Sequence, residues 1–299
     1  MNRTVKIILI TAICLIPAGL IITFLGIMAG GKLGWSMHVG DGRTGVVTSA
    51  VENVTGLDDF ESLEIEVSSA DVNIMRGDSY AIEYRTRKGE EPVIEQNGGK
   101  VTVRQPAKGI VMFDFGFTEG LDTYTVTVPE KSSGIDLMVK SSSGDIMVDR
   151  VNSSGSITSG SGDVLLNDIE GSSIDVTTSS GEIAGDKLKI ADTEFVASSG
   201  DISMLRLFSD SVRCEASSGD IDIYDSTAPV LDCKTSSGDV TIGLNANAND
   251  YSYDLKASSG DIRVNNEEFK NSYEKDAGQN SRITVRTSSG DIEIDMNFK

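Results

Sequence analysis

The second half of this chain repeats one arrangement of apolar and small residues around a recurring Ser-Ser-Gly-Asp segment. The segment returns at steps of 18 or 19 residues, and then at two longer steps of 22 and 30 residues. Its glycines are Gly144, Gly162, Gly181, Gly200, Gly219, Gly238, Gly260 and Gly290. A nearly fixed step of this size predicts one small structural unit that is stacked on copies of itself.

Each unit carries apolar or small residues at fixed distances from its glycine. Around Gly200, Phe195 and Ala197 precede the glycine by five and three residues, and Ile202 and Met204 follow it by two and four. Because positions two apart lie on one face of a strand, each unit predicts a strand, a corner and a second strand. We expect an all-β fold, a parallel β-solenoid with two main faces and 19-residue coils over residues 131–299. A row of antiparallel hairpins is the alternative.

Residues 58–130 alternate apolar and polar positions without the regular spacing of the array. Leu63, Ile65 and Val67 alternate with glutamates, and Asn97-Gly98 separates two short alternating runs, which is a hairpin signal. Ser68-Ser69-Ala70-Asp71 is a degenerate copy of the repeat. We expect an N-terminal β cap region here, because terminal repeats are usually atypical. Residues 31–57, rich in Gly, Ser and Thr, are predicted to be a tether with little structure of its own.

The first thirty residues predict a membrane segment. Residues 7–29 are uncharged and mostly apolar, and as a helix they would span about 34 Å, enough for a bilayer core of about 30 Å. Arg3 and Lys6 precede this run, so we expect residues 1–30 to form a cytoplasmic stub and a single transmembrane helix in the cell membrane, with the body extracytoplasmic. A cleaved signal peptide is the alternative, and it also exports the body.

Charge narrows the classes of partner. The chain has 46 acidic and 26 basic residues, a formal net charge of −20. Nucleic-acid binding requires clustered Lys and Arg, so no nucleic-acid partner is expected. An anionic wall polymer would also be repelled unless a metal ion bridged the charges.

The residue after each corner glycine is acidic, and stacked coils would place these side chains about 4.8 Å apart. They are Asp145, Asp163, Glu182, Asp201, Asp220, Asp239, Asp261 and Asp291. One interpretation is a structural ladder in which the acids accept hydrogen bonds from backbone N–H groups at the corners. The other is a cation-binding edge, since hard cations prefer several oxygen ligands.

The remaining chemistry is sparse. Cys214 and Cys233 lie 19 residues apart, so they should lie one above the other as two small buried side chains or as a disulfide. The single histidine, His38, lies in the predicted tether, so the body cannot form a Ser-His-Asp arrangement. No catalytic residue, cofactor or dedicated metal site is predicted. Carboxylate pairs on a β-helix leave a polysaccharide-active enzyme as an alternative.

Three segments depart from the pattern. Extra residues near 245–247 and over 265–281 are expected to form surface loops, which in solenoids often lie on the binding face. The run 110–117 is the most aromatic piece of the chain, and it would be either core or an exposed patch for a partner.

These motifs resemble a known family. An alternating first part that ends in Thr-Val-Thr-Val-Pro129, followed by Ser-Ser-Gly-Asp-Ile units, is similar to the bacterial "putative adhesin" β-strand-repeat family over residues 58–297. Some of its members resemble single-span proteins of envelope-stress operons. The resemblance implies a non-catalytic module that binds or scaffolds an envelope protein or wall polymer, and it transfers no catalytic residue. A cation-dependent adhesive module that uses the acidic ladder is the alternative.

Overall fold

The computed structural model describes residues 34–38, 49–55, 57–87, 90–105, 111–116 and 122–296. The described part is almost entirely β-structure, with one short 3-10 helix at Ala248–Asp250. The strands are β1 (Gly34–His38), β2 (Ser49–Thr55), β3 (Ser62–Val67), β4 (Asp71–Gly77), β5 (Ala81–Arg87), β6 (Val93–Asn97), β7 (Lys100–Arg104), β8 (Val111–Gly116), β9 (Thr123–Pro129), β10 (Ile135–Ser141), β11 (Ile146–Asp149), β12 (Ser153–Ser159), β13 (Val164–Thr178), β14 (Ile183–Ala197), β15 (Ile202–Phe208), β16 (Ser211–Ala216), β17 (Ile221–Ser226), β18 (Val230–Ser237), β19 (Val240–Leu244), β20 (Tyr251–Val264), β21 (Glu267–Lys275), β22 (Ser281–Ser289) and β23 (Ile292–Met296).

The predicted membrane segment, residues 7–29, lies outside the described residues. Within the part of the chain that the structure does describe, no helix has the length and apolar character needed to cross a bilayer. The tether predicted over 31–57 is partly wrong, because it contains β1 and β2. Strand β2 pairs antiparallel with β5 along all seven of its residues, from Ser49 opposite Arg87 to Thr55 opposite Ala81. The sequence of β2, Ser-Ala-Val-Glu-Asn-Val-Thr, does not alternate apolar and polar positions, so it carries no strand signal.

The chain divides into two compact units. Of the smaller, residues 1–48 and 107–120, the structure describes β1 and β8, which pair antiparallel. His38 thus lies in β1, and residues 111–116 of the aromatic run form β8. The choice between core and exposed patch for this run lies outside the described residues. The larger unit, residues 49–106 and 121–299, holds the predicted cap and the predicted array together. One continuous hydrophobic core runs from Phe60 to Met296, so residue 130 is not a domain boundary.

The array is a stack of parallel coils, as predicted. Strands β10 and β12 pair in parallel with each residue opposite its counterpart, and β11 and β13 do the same on the other side of the corner. The antiparallel-hairpin alternative is therefore wrong for the array. The inward columns are buried, including Ile157, Phe195 and Ile202, because no single coil can bury its apolar face alone.

We name the two long sides of the stack by their position relative to the corner. Strands that precede the corner form the pre-corner wall, and strands that follow it form the post-corner wall. A short third side appears in the middle coils, where β13 pairs with β14 in three segments: Val164–Asn167, Ile169–Gly171 and Ser173–Thr178. The expected two-faced coil thus has a third side there.

The turn that ends the post-corner wall uses left-handed backbone. Arg150, Asp168, Lys187, Arg206 and Asp225, each six residues after a corner glycine, have φ of 50 to 55°. Glycine or asparagine usually fills such positions, because a Cβ atom costs about 1 kcal/mol or more there. Charged contacts support some of these turns, and Nε of Arg206 donates to Oδ1 of Asp186 on the preceding coil (2.8 Å).

The coils do not all stack in chain order. The last coil, β22 and β23, lies between the coil of β18 and β19 and the coil of β20. At the other end, β3 and β4 lie between the array and the outer pair β7 and β9. The loop expected over 265–281 is largely strand β21, which pairs antiparallel with β20 and covers the C-terminal end of the stack. At the N-terminal end, β6 pairs antiparallel with β7, and β5 pairs antiparallel with β9 and β2.

Candidate functional site

The corner glycines set the closeness of the stack. A Cβ atom on Gly219 would lie 2.2 Å from the carbonyl oxygen of Gly200, and one on Gly200 would lie 2.0 Å from that of Gly181. The same contact recurs at every corner from Gly144 onward, with Gly144 facing Ala70 of the degenerate copy. Only glycine lets two backbones approach this closely, which explains why the residue returns in every unit.

Small side chains on the pre-corner wall support the same corners. Position three before the glycine is buried throughout the array, and in the first three coils its hydroxyl accepts the glycine N–H. These bonds join Gly144 to Ser141 (2.9 Å), Gly162 to Ser159 (3.0 Å) and Gly181 to Thr178 (3.0 Å). In later coils the position holds Ala197, Ala216, Thr235, Ala257 or Thr287, so its small size is general while the hydroxyl contact to the glycine N–H is not.

The acidic residues after the glycines form a hydrogen-bonded ladder, as one of the two interpretations predicted. In each rung the backbone N–H of one acid donates to Oδ1 of the acid on the neighbouring coil. The N–H donors and their acceptors are Asp145 to Asp71 (3.0 Å), Asp163 to Asp145 (2.9 Å), Glu182 to Asp163 (2.8 Å), Asp220 to Asp201 (2.9 Å), Asp239 to Asp220 (2.8 Å), Asp291 to Asp239 (2.8 Å) and Asp261 to Asp291 (2.8 Å). Asp291 thus lies between Asp239 and Asp261 in the ladder, which again places the coil of β22 and β23 between its two neighbours.

Two positions in this ladder differ from the rest. Glu182 is one methylene longer than aspartate, and the N–H of Asp201 has no side-chain acceptor among the described contacts at this rung. Asp71, in the degenerate copy, starts the ladder. Burial and the neighbouring charge of Asp145 raise the pKa of Asp71, while the hydrogen bond from the N–H of Asp145 opposes the rise. The sequence marked the copy that contains Asp71, although its ladder role was not predicted.

Gln105 completes the corner beside Asp71. Its Oε1 accepts the N–H groups of Ser68 (2.7 Å) and Ser69 (3.3 Å), and its Nε2 donates to Oδ2 of Asp122 (3.2 Å). A side chain therefore supplies contacts at the corner between β3 and β4. No repeat signal surrounds Gln105, so sequence reasoning missed it.

The ladder concentrates negative charge on one edge. Adjacent carboxylates about 4.8 Å apart repel by about 1 kcal/mol in a water-like dielectric. A hydrogen bond to a charged acceptor contributes about 1.5–3 kcal/mol, which offsets that repulsion. The cation-binding interpretation stays a prediction, and in the described part of the chain no three His, Cys, Asp or Glu side chains are grouped to hold a metal ion.

The pre-corner wall carries a network of ion pairs on its outer face. Asp254 contacts Arg286, Lys256 (3.4 Å) and, more distantly, Arg282 (4.0 Å). The hydrogen bond from Arg286 is the main reason that the pKa of Asp254 is lowered. Lys234 likewise contacts Glu215 on the neighbouring strand (3.0 Å). Basic side chains are thus held in pairs with acids along this wall.

Cys214 and Cys233 lie opposite each other on β16 and β18, as the repeat spacing predicted. Both are free and buried, so of the two alternatives the structure has the pair of small buried side chains. The hydrogen bond with Cys214 and burial raise the pKa of the Cys233 thiol well above its ordinary value. Thiols in such an environment are poor nucleophiles and poor metal ligands.

These features define a parallel β-repeat protein with glycine corners and an aspartate edge. The chain belongs to the Toastrack DUF4097 family, whose profile matches residues 60–295. This agrees with the family resemblance found in the sequence.

Two solved structures share the fold. A "putative adhesin" from Parabacteroides distasonis has a TM-score of 0.51 at 14% identity, over 83% of this chain and 97% of that one. A "putative lipid binding protein" from the same organism has a TM-score of 0.51 at 16% identity, over 87% and 96%. At these identities the likeness concerns the fold alone. No curated protein matches the chain.

Proposed function

We propose that this chain is a non-catalytic, membrane-anchored extracytoplasmic module that binds or scaffolds a partner at the cell envelope. The observation that carries the proposal is the solid stack: apolar columns fill its interior, and long regular walls face outward. Such walls suit contact with another macromolecule over many coils. The uncharged run 7–29 after Arg3 and Lys6 supports the anchor and its orientation.

The partner we favour is an envelope protein. The net charge of −20 and the acidic edge oppose an anionic wall polymer, while they favour a protein surface with exposed Lys and Arg. The two structural neighbours are named a putative adhesin and a putative lipid binding protein, which is consistent with a binding role and names no reaction.

Topology is tested first with thiol labelling in intact cells. A Glu268→Cys variant places a thiol on the exposed strand β21. The matched control is the native chain, in which Cys214 and Cys233 are buried and Cys14 lies in the predicted membrane segment. A membrane-impermeant maleimide should label the variant, and not the control, before lysis. Labelling only after lysis would contradict an extracytoplasmic body.

Binding is tested by photo-crosslinking in living cells. A photoreactive residue at Lys270 on β21 is compared with one at Asp222 on the post-corner wall, and captured proteins are identified. A specific membrane or envelope protein captured from either position supports the proposal. Sugar release from wall polysaccharide by the purified chain would overturn the non-catalytic assignment and restore the polysaccharide-active alternative.

A further inference from the structure

The outer face of the post-corner wall carries a row of apolar side chains in the N-terminal half of the stack. Met147, Leu165 and Ala184 stand three residues after their corner glycines and lie opposite one another on β11, β13 and β14. Met75 on β4 and Leu205 on β15 extend the line diagonally at its two ends. Leu165 is 43% exposed and Leu205 is 40% exposed, so these side chains face solvent. We call the five side chains the apolar row.

The repeat itself does not require apolar residues at this outer position. In later coils the third residue after the corner glycine is polar or charged: Ser203, Asp222, Thr241, Glu293 and Arg263. Those coils stack in parallel in the same way. The apolar row is therefore a property of one half of the wall, and neighbouring exposed apolar side chains of this kind mark an interaction surface.

The acidic ladder runs beside the apolar row on its corner side. Asp145, Asp163 and Glu182 each stand two residues before a member of the row, which places about 6.6 Å of strand between acid and apolar side chain. All three acids are exposed. Asp145 and Asp163 each use Oδ1 to accept a backbone N–H, and a carboxylate can accept further hydrogen bonds. This flank therefore attracts cationic side chains.

The other flank of the apolar row is held in ion pairs. Nε of Arg150 donates to Oδ2 of Asp149 (2.9 Å), and Nε of Arg206 donates to Oδ1 of Asp186 (2.8 Å). Asn167 lies between Asp149 and Asp186 on the neighbouring strand. The row is thus bounded by negative charge on one side and by neutralised pairs on the other.

The spacing of the apolar row favours a helix as its ligand. Neighbouring strands are about 4.8 Å apart, and a helix that lies along the stack presents successive turns about every 5.4 Å. Over three steps these lengths differ by about 2 Å, whereas an extended strand, with side chains about 6.7 Å apart on one face, would differ by about 6 Å. The row covers about 19 Å, which corresponds to about 13 residues of helix.

We propose that the apolar row is the docking surface for a basic amphipathic helix of a partner protein. This inference rests on the proposed binding function, and it names the surface and the chemistry of the partner. The apolar stripe of the helix covers the row, and Lys or Arg residues along one edge of that stripe meet Asp145 and Asp163. Because the acids line one flank only, the charged edge of the helix also fixes the direction in which it lies.

The first test measures binding of a synthetic peptide to the full chain in phosphatidylcholine nanodiscs, by fluorescence anisotropy. The labelled peptide has about 18 residues, with a leucine stripe, lysines along one edge of the stripe and glutamines elsewhere. The native chain should bind it, and Met147→Gln with Leu165→Gln should raise the dissociation constant about tenfold or more. Thr241→Gln, at the same outer position in the polar half of the wall, is the matched control and should bind as the native chain does.

Peptide order and protein folding are controlled separately. The same residues in scrambled order lack the leucine stripe and should bind about tenfold more weakly or less. Thermal unfolding checks each variant, and Met147→Thr with Leu165→Thr repeats the test with residues of higher strand propensity. No binding at about 100 μM, equal binding of the scrambled peptide, or equal binding by both double variants would each overturn the proposal.

Photo-crosslinking in living cells separates failure of this inference from failure of the proposed function. A photoreactive residue in place of Leu165 is compared with those at Asp222 and Lys270. Capture at Leu165 of a protein whose crosslinked segment is a basic amphipathic helix supports the inference. Capture of a protein at Asp222 or Lys270 but not at Leu165 would overturn the inference and leave the proposed function. Capture of lipid at Leu165 would show that the row contacts the membrane, which also overturns the inference.

Discussion

Replacing one corner glycine by alanine should destabilise the whole stack. In Gly219→Ala the new Cβ would lie 2.2 Å from the carbonyl oxygen of Gly200, whereas real Cβ contacts stay beyond 3.0 Å. The two coils must therefore separate locally by about 0.8 Å or more. Both atoms involved belong to stacked backbone, so no flexible side chain can move aside.

The cost follows from the hydrogen bonds that join these coils. Four N···O distances lie near the contact: Asp220 N to Asp201 Oδ1 (2.9 Å), Ser217 N to Ala197 O (3.1 Å), Ser218 N to Ser198 O (3.1 Å) and Ile202 N to Asp220 O (2.9 Å). A separation of about 0.8 Å takes most of them beyond hydrogen-bond distance. At about 1 kcal/mol for each bond, the free energy of unfolding should fall by about 3 kcal/mol.

Gly99→Ala is the matched control. Its Cβ would have only the backbone N of Glu61 nearby, at 3.8 Å, and Gly99 does not have a positive φ. The free energy of unfolding should then change by less than about 1 kcal/mol, and it can rise because alanine restricts the unfolded chain. Urea unfolding followed by far-UV circular dichroism measures both variants. Equal effects of Gly219→Ala and Gly99→Ala would refute the close-approach explanation of the repeat.

Four further predictions concern the ladder and the core. Glu182→Asp should supply the missing acceptor for the next coil and raise the free energy of unfolding by about 1 kcal/mol, whereas Glu182→Gln should not. Asp220→Ala should lower the free energy of unfolding by about 1 kcal/mol more than Asp220→Asn does, because asparagine keeps an acceptor oxygen and removes the repulsion between neighbouring carboxylates. Equal losses for the two variants in urea unfolding would indicate that the contact needs the charge itself. Because the pKa of Asp71 is raised in the folded state, its contribution to stability is present below its ordinary pKa and is lost as the pH rises through the folded pKa. The Asp71→Asn variant should therefore be more stable than the native chain at pH 7. Urea unfolding at pH 3 and pH 7 should show that this difference vanishes on acidification. Cys214 and Cys233 should remain unreactive toward a thiol reagent in native buffer and react fully in denaturant; rapid native labelling would contradict their burial.

The coil and its corner could be predicted because period and chemistry agree there. Residues two apart share one face of a strand, and the columns through Ile157 and Ile202 are buried as expected. The same regularity prevents a prediction of the order in which the coils stack at the C-terminal end of the array. Since Gly260 and Gly290 have equivalent surroundings in the sequence, either could follow Gly238. The structure distinguishes the two orders, because β22 pairs with both β18 and β20 and Gly290 contacts Gly238.

Other features were missed for separate physical reasons. The left-handed turns at Arg150 and Arg206 carry charged residues where glycine or asparagine would have signalled them. Strand β2 lacks the alternation that marks a half-buried strand, so its sequence predicts a tether instead. In the candidate site, the eight acids after the glycines were found from their spacing, whereas Asp71 and Gln105 act at a corner that has lost its glycine.

The recurrence of Gly-Asp at the corners has a structural explanation, and this explanation indicates which other positions can recognise a partner. Glycine permits the backbone approach, and the aspartate accepts the N–H of the next coil at that approach. The glycine contact recurs at every corner and the acid contact at seven rungs, so these residues do not distinguish one partner from another. The outward positions do vary along the walls: Leu165 and Leu205 are exposed on the post-corner wall, while Lys234 and Arg286 stand on the pre-corner wall. Recognition of a partner should therefore depend on the varied outer positions, and exchange of outer residues should change binding while exchange of corner residues changes stability.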